Sequence, residues 1–445
     1  MNNLTVACVQ QRLSIQSSRE EFESEARRFL RQAQAKAARI AIFPELAGVM
    51  LAPPLISSLK LGFLKREDQS KQPGTGLLSR TWGRVAGTTA GALGGGFRGS
   101  LERLIQKKSD AFRDLYLDTF AQLAREYGII IVGGSIYLYD EETGELRNRA
   151  YVFDVDGSVL GYQDKLNVAP TEQGLATPGA DLRVINTRHA RLGLLIGRDA
   201  LYPELSRLLA VQNAELLVGL AASPGVAQAG VVRSAVALRA EENQVFAAVS
   251  FLLGANYLSR GTEEEFFGQS AVLAPISLSP KGDGVLVQAG TNRTETLIAA
   301  DVDQSALQQL HETSRFRPRS EMHLANLGPV LGEMYAAGLT IEEAIAQDLA
   351  GVGQVEVEEP EPLFGEPALE VEAPTTEEPE PERPEAPELA VPESPPPEPP
   401  TEVAVDIPSV PEALSITGQR QPEEEIEEGE QAGDGSEDEE AQQGA

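Results

Sequence analysis

Three charged side chains stand at places where a protein of alternating strands and helices could use them. Glu45 ends the run "IAIFPE", a carboxylate at the exit of a short buried strand. Such a position suits a general base whose pKa is raised by burial. Lys165, in "GYQDKLNVAPTEQ", follows a hairpin strand and can stabilise a developing oxyanion. Glu172 lies seven residues further on, in the loop after Pro170. Facing them in the chain's order is "RLGLLIGRDALYPELSR", an apolar strand, a sharp turn at Gly197 and a helix opened by Pro203. Strand-turn-helix is where enzymes often hold a nucleophile. Here the turn residue has no side chain. Arg198 and Asp199 flank it and are candidates for contacting a ligand.

The elements that must position these groups can be read from periodicity. "LTVACVQ" opens as a strand, and Phe22, Ala26, Phe29, Ala33 and Ala37 recur at helical spacing between Glu20 and Ala38. "RIAIFPEL" is a strand; Tyr116, Phe120, Leu123 and Tyr127 mark a helix; "IIIVGGSIYLY" is a strand. "RAYVFDVDGSVLGYQ" predicts a hairpin turning on Asp156-Gly157. After "RLGLLIG" come a helix in "PELSRLLAVQNA", a strand in "ELLVGLAAS", a helix in "VVRSAVALRAEEN" and a strand in "QVFAAVSF". "SAVLAP", "GVLVQAG" and "ETLIAADVD" add three strands. Helical crossovers mixed with adjacent strand pairs favour a layered sandwich over a simple doubly wound sheet. Residues 51–113 break the rhythm as a Gly-rich insertion with 11 basic and four acidic residues. Loops of that length are usually functional or disordered.

Four segments, in order, make the chain resemble the nitrilase, or carbon–nitrogen hydrolase, superfamily. "IAIFPELA" resembles the family's catalytic-glutamate motif, and "GYQDKLNVAPTEQ" its lysine motif with an assisting glutamate. "LGLLIGRDALYPELSRLLA" resembles its nucleophile elbow, and "ALRAEENQVFAAVS" with "FFGQSAVLAP" resembles the segments that follow. The resemblance covers about Leu4 to Arg319 and implies an α/β fold, the four-layer α-β-β-α sandwich, commonly paired into homodimers or larger homo-oligomers. It maps the glutamate, lysine and assisting glutamate onto Glu45, Lys165 and Glu172. The cysteine that attacks a nitrile or amide carbon maps onto Gly197. Cys8, the single cysteine, lies in the first strand and reads as a small buried hydrophobe. Ser223, just after a later strand, would need proximity and an activating base to replace the thiol.

Composition bounds the rest. Of a net charge of -31, residues from Gly351 onward hold 29 acidic and two basic side chains and 17 of the 29 prolines. That stretch, 351–445, is expected to be a disordered acidic arm, because dense Glu and Pro cannot build a core. Residues 1–320 are then the folded domain and 321–350 a short helical extension. His189, His311 and His323 show no ligand spacing, so neither a metal nor another cofactor is expected. One cysteine allows no internal disulfide, the N-terminus lacks a signal-peptide pattern, and the longest apolar run is too short for a bilayer. A cytoplasmic protein is the default, with no nucleic-acid partner expected. A basic protein could meet the acidic arm, and an anionic membrane surface the basic insertion.

Three functions compete. A catalytically silent member would bind an amide, carboxylate or acyl ligand, or serve as a scaffold or regulatory subunit. An active amidohydrolase or acyltransferase would use water or an unusual nucleophile. A membrane-surface protein would act through the basic insertion.

Overall fold

The computed structural model describes residues 3–56, 96–259 and 265–315, with residues 328, 329 and 332. The chain divides into two units, Met1–Glu356 and Val357–Ala445, and every described residue belongs to the first. The expected acidic arm, nearly all of the expected helical extension and residues 57–95 of the insertion lie outside the described residues.

The first half of the architecture is built from β1 (Asn3–Arg12), α1 (Arg19–Ala35), β2 (Ile40–Ile42), α2 (Gly96–Tyr127), β3 (Ile130–Tyr139), β4 (Leu146–Phe153) and β5 (Val159–Asp164). Then follow β6 (Ile185–Asn186), β7 (Arg191–Ile196), α3 (Pro203–Val211), β8 (Leu216–Ala221), β9 (Ser223–Pro224), α4 (Val226–Asn243) and β10 (Phe246–Leu253). The last elements are β11 (Phe266–Phe267), β12 (Ala271–Leu273), β13 (Val285–Gln288), β14 (Thr296–Asp303) and α5 (Gln304–Thr313).

Twelve strands form two six-stranded halves, β5-β4-β3-β2-β1-β14 and β6-β7-β8-β10-β12-β13. Among the described residues, the strand ladders of the two halves meet only where the end of β1 runs parallel to the end of β10, at Gln11–Leu252 and Arg12–Leu253. Alternation along each strand explains the layers. In β2, Ile40 and Ile42 face the other half; in β8, Leu216, Val218 and Leu220 do the same. The intervening Ala41 packs under α1 and α2, among Phe22, Phe29 and Phe120. Leu217 and Ala221 pack under α4, against Val232 and Val236. Strands covered on both faces must be apolar almost throughout, which is why β2, β8 and all of β7 after Arg191 carry no charged or polar side chain. The four-layer α-β-β-α sandwich expected from the sequence is the observed fold.

The insertion needs correcting at both ends. Residues 96–113 are not irregular: they are the first half of α2, which kinks at Lys108 (φ -146°, ψ 35°) and continues into the expected helix. Phe97, Leu101, Leu104, Ile105 and Phe112 recur at helical spacing and enter the core beneath that helix. Ala47–Leu51 and Pro53–Leu55 form short 3-10 turns, and Met50, Leu51 and Pro53 are buried. The glycine-rich stretch between masks this pattern when the whole region is read as one unit. Among the described residues, no helix is long and apolar enough to cross a membrane.

Candidate functional site

Glu45 owes its position to a close approach of two backbones. Beyond β2, the Phe43 amide continues the ladder by donating to the Val132 carbonyl (2.9 Å). Gly134 then lies against Pro44: a β-carbon there would stand 2.2 Å from the Pro44 carbonyl oxygen, and φ is +70°. Only glycine allows that approach. The β3–β4 register shifts at the same point, between Val132 and Ser135. Ser135 Oγ accepts from the Leu46 amide (2.9 Å), holding Leu46 in a left-handed conformation (φ 63°) that turns Glu45 inward.

Lys165 follows β5 directly, and its amide donates to the Asn148 carbonyl (2.8 Å), so it is fixed by the hairpin ladder. Glu172 closes the 3-10 turn Pro170–Glu172 and accepts from the Ala169 amide through Oε2 (2.9 Å). The three expected residues meet. Lys165 Nζ lies 2.8 Å from Glu45 Oε1 and 2.6 Å from Glu172 Oε2. Asn148 Nδ2 lies 3.1 Å from Oε1 of each glutamate, with geometry for donating to either. The Tyr137 hydroxyl donates to Glu172 Oε1 (3.0 Å), and the Ala222 amide to Glu45 Oε2 (2.9 Å).

Two carboxyls share one ammonium, and their surroundings drive them apart. Burial, with Glu172 nearby, raises the pKa of Glu45 despite the opposing pull of Lys165. Burial acts on Glu172 in the same direction, but Lys165 and the Ala169 amide outweigh it and hold Glu172 below the ordinary glutamate value. Burial alone would lower Lys165; the two carboxylates reverse that and keep it charged. An ionised acid, an ammonium and a carboxyl biased toward its protonated form therefore sit within hydrogen-bond reach, a set suited to proton exchange.

Gly197 completes the arrangement from the opposite half of the sandwich. It directly follows β7 with φ +55°, and a β-carbon built on it would lie 2.7 Å from Glu45 Oε2 and 3.0 Å from Lys165 Nζ. Any side chain at 197 would point into the ion cluster. Asp199 serves the scaffold: it is buried and accepts from the amides of Leu166 (3.1 Å) and Asn167 (2.7 Å) and from Asn167 Nδ2 (2.9 Å). It pins the Gly197 turn to the Lys165 loop. Arg198 is half-buried and lines the cavity.

That cavity has a volume of about 310 Å³, at the small end of the range for ligand pockets. Glu45, Lys165, Glu172 and Gly197 contribute to its lining, together with Leu46, Tyr137, Val232 and Phe266 and the polar Ser223, Gln228 and Asn256. Cys8 lies elsewhere, fully buried between the sheets, and burial pushes its thiol up to about 12.

Sequence reasoning missed Asn148, Tyr137 and Arg98. Asn148 was legible only as a polar residue within an otherwise apolar strand. Tyr137 looked like core. Arg98 was hidden in the insertion's positive charge. Its guanidinium donates to the carbonyls of Thr171 (2.6 Å), Gln173 (2.7 Å) and Leu258 (2.8 Å), tying together two loops of the cavity wall.

Comparison with known proteins bears on the fold and the family. The chain is 29% identical over 205 residues to "Probable hydrolase YhcX" of Bacillus subtilis, covering 45% of this chain and 39% of that protein. It is 29% identical over 189 residues to an "(R)-stereoselective amidase" of Pseudomonas, covering 42% and 63%. The matching stretch thus spans less than two thirds of either relative. The crystal structure of a carbon-nitrogen hydrolase from Helicobacter pylori shares the fold, with a TM-score of 0.52 at 19% identity, covering 73% of this chain and 98% of that one. The family profile described as carbon-nitrogen hydrolase matches residues 5–312, and the chain belongs to that family.

Proposed function

We propose that this chain is a ligand-binding member of the carbon–nitrogen hydrolase family that forms no covalent intermediate through a cysteine. One observation carries the reading: the position aimed at both Glu45 and Lys165 is Gly197. Cys8 is buried between the sheets, where burial keeps its thiol protonated, and cannot substitute. Loss of a covalent nucleophile costs an enzyme several orders of magnitude in rate. What remains is a polar cavity suited to an amide, carboxylate or acyl ligand. The resemblance supplies the amide class, and the amidase and hydrolase names of the relatives support it.

A second reading keeps hydrolysis without a thiol. Its support is Glu45, a cavity-lining carboxyl with a raised pKa, which in its ionised form could activate water. Ammonia release from simple amides and nitriles separates the two. The expected result is no turnover by the wild type, and an acyl adduct on Gly197→Cys seen by intact-protein mass spectrometry. Wild-type turnover that disappears in Glu45→Ala would overturn the silent reading.

A further inference from the structure

Away from the cavity, two carboxyls close on consecutive residues of β1. Gln11 Nε2 donates to Oε1 of Glu25 on α1 (3.1 Å), and the Arg12 amide donates to Oε1 of Glu295, just before β14 (3.0 Å). The two carboxyl groups lie within hydrogen-bond reach of each other. Gln16 Nε2 donates to Glu25 Oε2 (2.8 Å), and the exposed Arg28, one turn along α1, reaches Glu295 Oε2 (3.2 Å). Of the other charged groups on these elements, the Arg12 guanidinium donates to the Arg293 carbonyl (3.1 Å) and Arg293 lies over the Phe267 ring (4.9 Å). Glu21 accepts from the Ser17 amide (2.7 Å). Two half-buried carboxylates beside one exposed guanidinium repel when both are ionised, and a single shared proton removes the repulsion. Burial and the charge of Glu295 push Glu25 up to about 7, against the pull of Gln11 and Arg28.

The pair stands on the junction between the two halves of the sandwich. Arg12 pairs with Leu253, and the Leu13 amide donates to the Leu253 carbonyl (2.8 Å). The Arg12 side chain packs on Gly254, where a β-carbon would stand 2.7 Å from Arg12 Cγ. Gly254 exchanges two backbone hydrogen bonds with Phe266 (2.7 and 3.0 Å), and Phe266 lines the cavity. We propose that one proton shared by Glu25 and Glu295 latches the end of β1 to β10, and that its loss drives the carboxylates apart and loosens the junction as far as Phe266. Glu295 is the handle, because it holds the Arg12 amide directly. The proton passes between a carboxyl and water, so no other reactant is needed, and the latch works whatever ligand the cavity holds.

Amide hydrogen exchange of the full chain, corrected for the intrinsic rate at each pH, tests this. Glu25 holds its proton in the latched state and ionises on opening. Opening therefore becomes up to about tenfold easier per pH unit between the ordinary glutamate value and about 7. The latch is complete below that window and is lost as pH rises through it. In the wild type, protection of the Leu13, Gly254 and Phe266 amides should fall by about tenfold or more from about pH 5 to about pH 8. Glu25→Gln keeps a hydrogen-bonding group without the charge and should flatten that decline. Glu295→Gln removes the repulsion from the other side and should flatten it too, with thermal melting confirming that each variant folds. Protection independent of pH in the wild type, or an undiminished decline in either folded variant, would overturn the assignment. A decline spread evenly over all slowly exchanging amides would also overturn it, as global unfolding in place of a latch.

Discussion

Neighbouring residues of one hairpin feed two buried ion clusters of different character. On β4 and at the end of β5, Asn148 and Lys165 serve the cavity, whereas Arg149 and Asp164 serve the scaffold. Successive side chains of a strand point to opposite faces, so the hairpin supplies both clusters with no extra chain. In the scaffold cluster, Arg149 Nε and Nη2 grip both oxygens of Asp164 (2.6 and 2.9 Å), and Nη2 also reaches Asp140. Arg147 adds a second cation 3.8 Å from Asp164, and Tyr162 covers the Arg149 guanidinium at 3.9 Å. In the cavity cluster, two carboxylates share one ammonium. Both clusters are well buried, with side-chain exposures of 4% for Lys165 and 9% for Arg149. The outcome differs in sign. Burial would raise Asp140, but the amides of Thr143 and Glu142 and the Arg149 guanidinium bring it below its ordinary value. Glu45 stays above its own. A balanced cluster locks its charges; an unbalanced one beside a cavity leaves a proton to negotiate.

Deleting the cation from each cluster should give the largest contrast. Lys165→Met leaves Glu45 and Glu172 buried without a counter-charge and should cost about 3–5 kcal/mol at neutral pH. Much of this should return on acidification, as the two carboxyls take up protons. Arg149→Met should cost less, about 2–3 kcal/mol, because Arg147 still faces Asp164, and it should leave ligand affinity unchanged. Urea unfolding at two pH values, with calorimetric titration, checks both. Equal acid recovery in the two variants would erase the distinction drawn here.

The intermediate effect is in the pH dependence. Glu45 is raised in the folded chain, so its ionisation favours unfolding. Its contribution to stability is fully present below the ordinary glutamate value and is lost as pH rises from there through the raised value. Glu172 is lowered, so its contribution is present above the ordinary value and is lost as pH falls through the lowered one. Glu45→Gln should therefore gain stability relative to the wild type as pH rises above the ordinary glutamate range, and Glu172→Gln should lose it there. Unfolding curves across that range that shift in the same direction for both variants would contradict the assignment of opposite shifts.

The smallest effect should come from the facing wall. Gly197→Ala forces a β-carbon into the left-handed region and against Glu45. The backbone alone should cost about 1–2 kcal/mol, measurable by chemical denaturation. No loss would mean that the turn relaxes easily and that the ion cluster yields to a side chain.

The fold was legible to the extent that its patterns are local. Alternating apolar runs located the strands, and Asp156-Gly157 located the hairpin turn, because period and turn chemistry act within a few residues. The insertion failed that test, since a glycine-rich stretch hid the helical spacing of Phe97, Leu101 and Leu104 behind it.

By itself, the sequence determined which chemical groups exist and where strands deliver them: Glu45 after β2, Lys165 after β5, Glu172 after Pro170, and no side chain at Gly197. These are facts of composition and local order. Tertiary structure alone decided that Glu45 and Lys165, 120 residues apart, share a hydrogen bond, and that Asn148 reaches both glutamates. It also decided that Arg98 is consumed by loop carbonyls, while no described residue pairs with Arg198. A guanidinium has the same charge wherever it lies in the chain. Whether that charge is spent depends on which distant carbonyls and carboxylates the packed sheets bring within three ångströms.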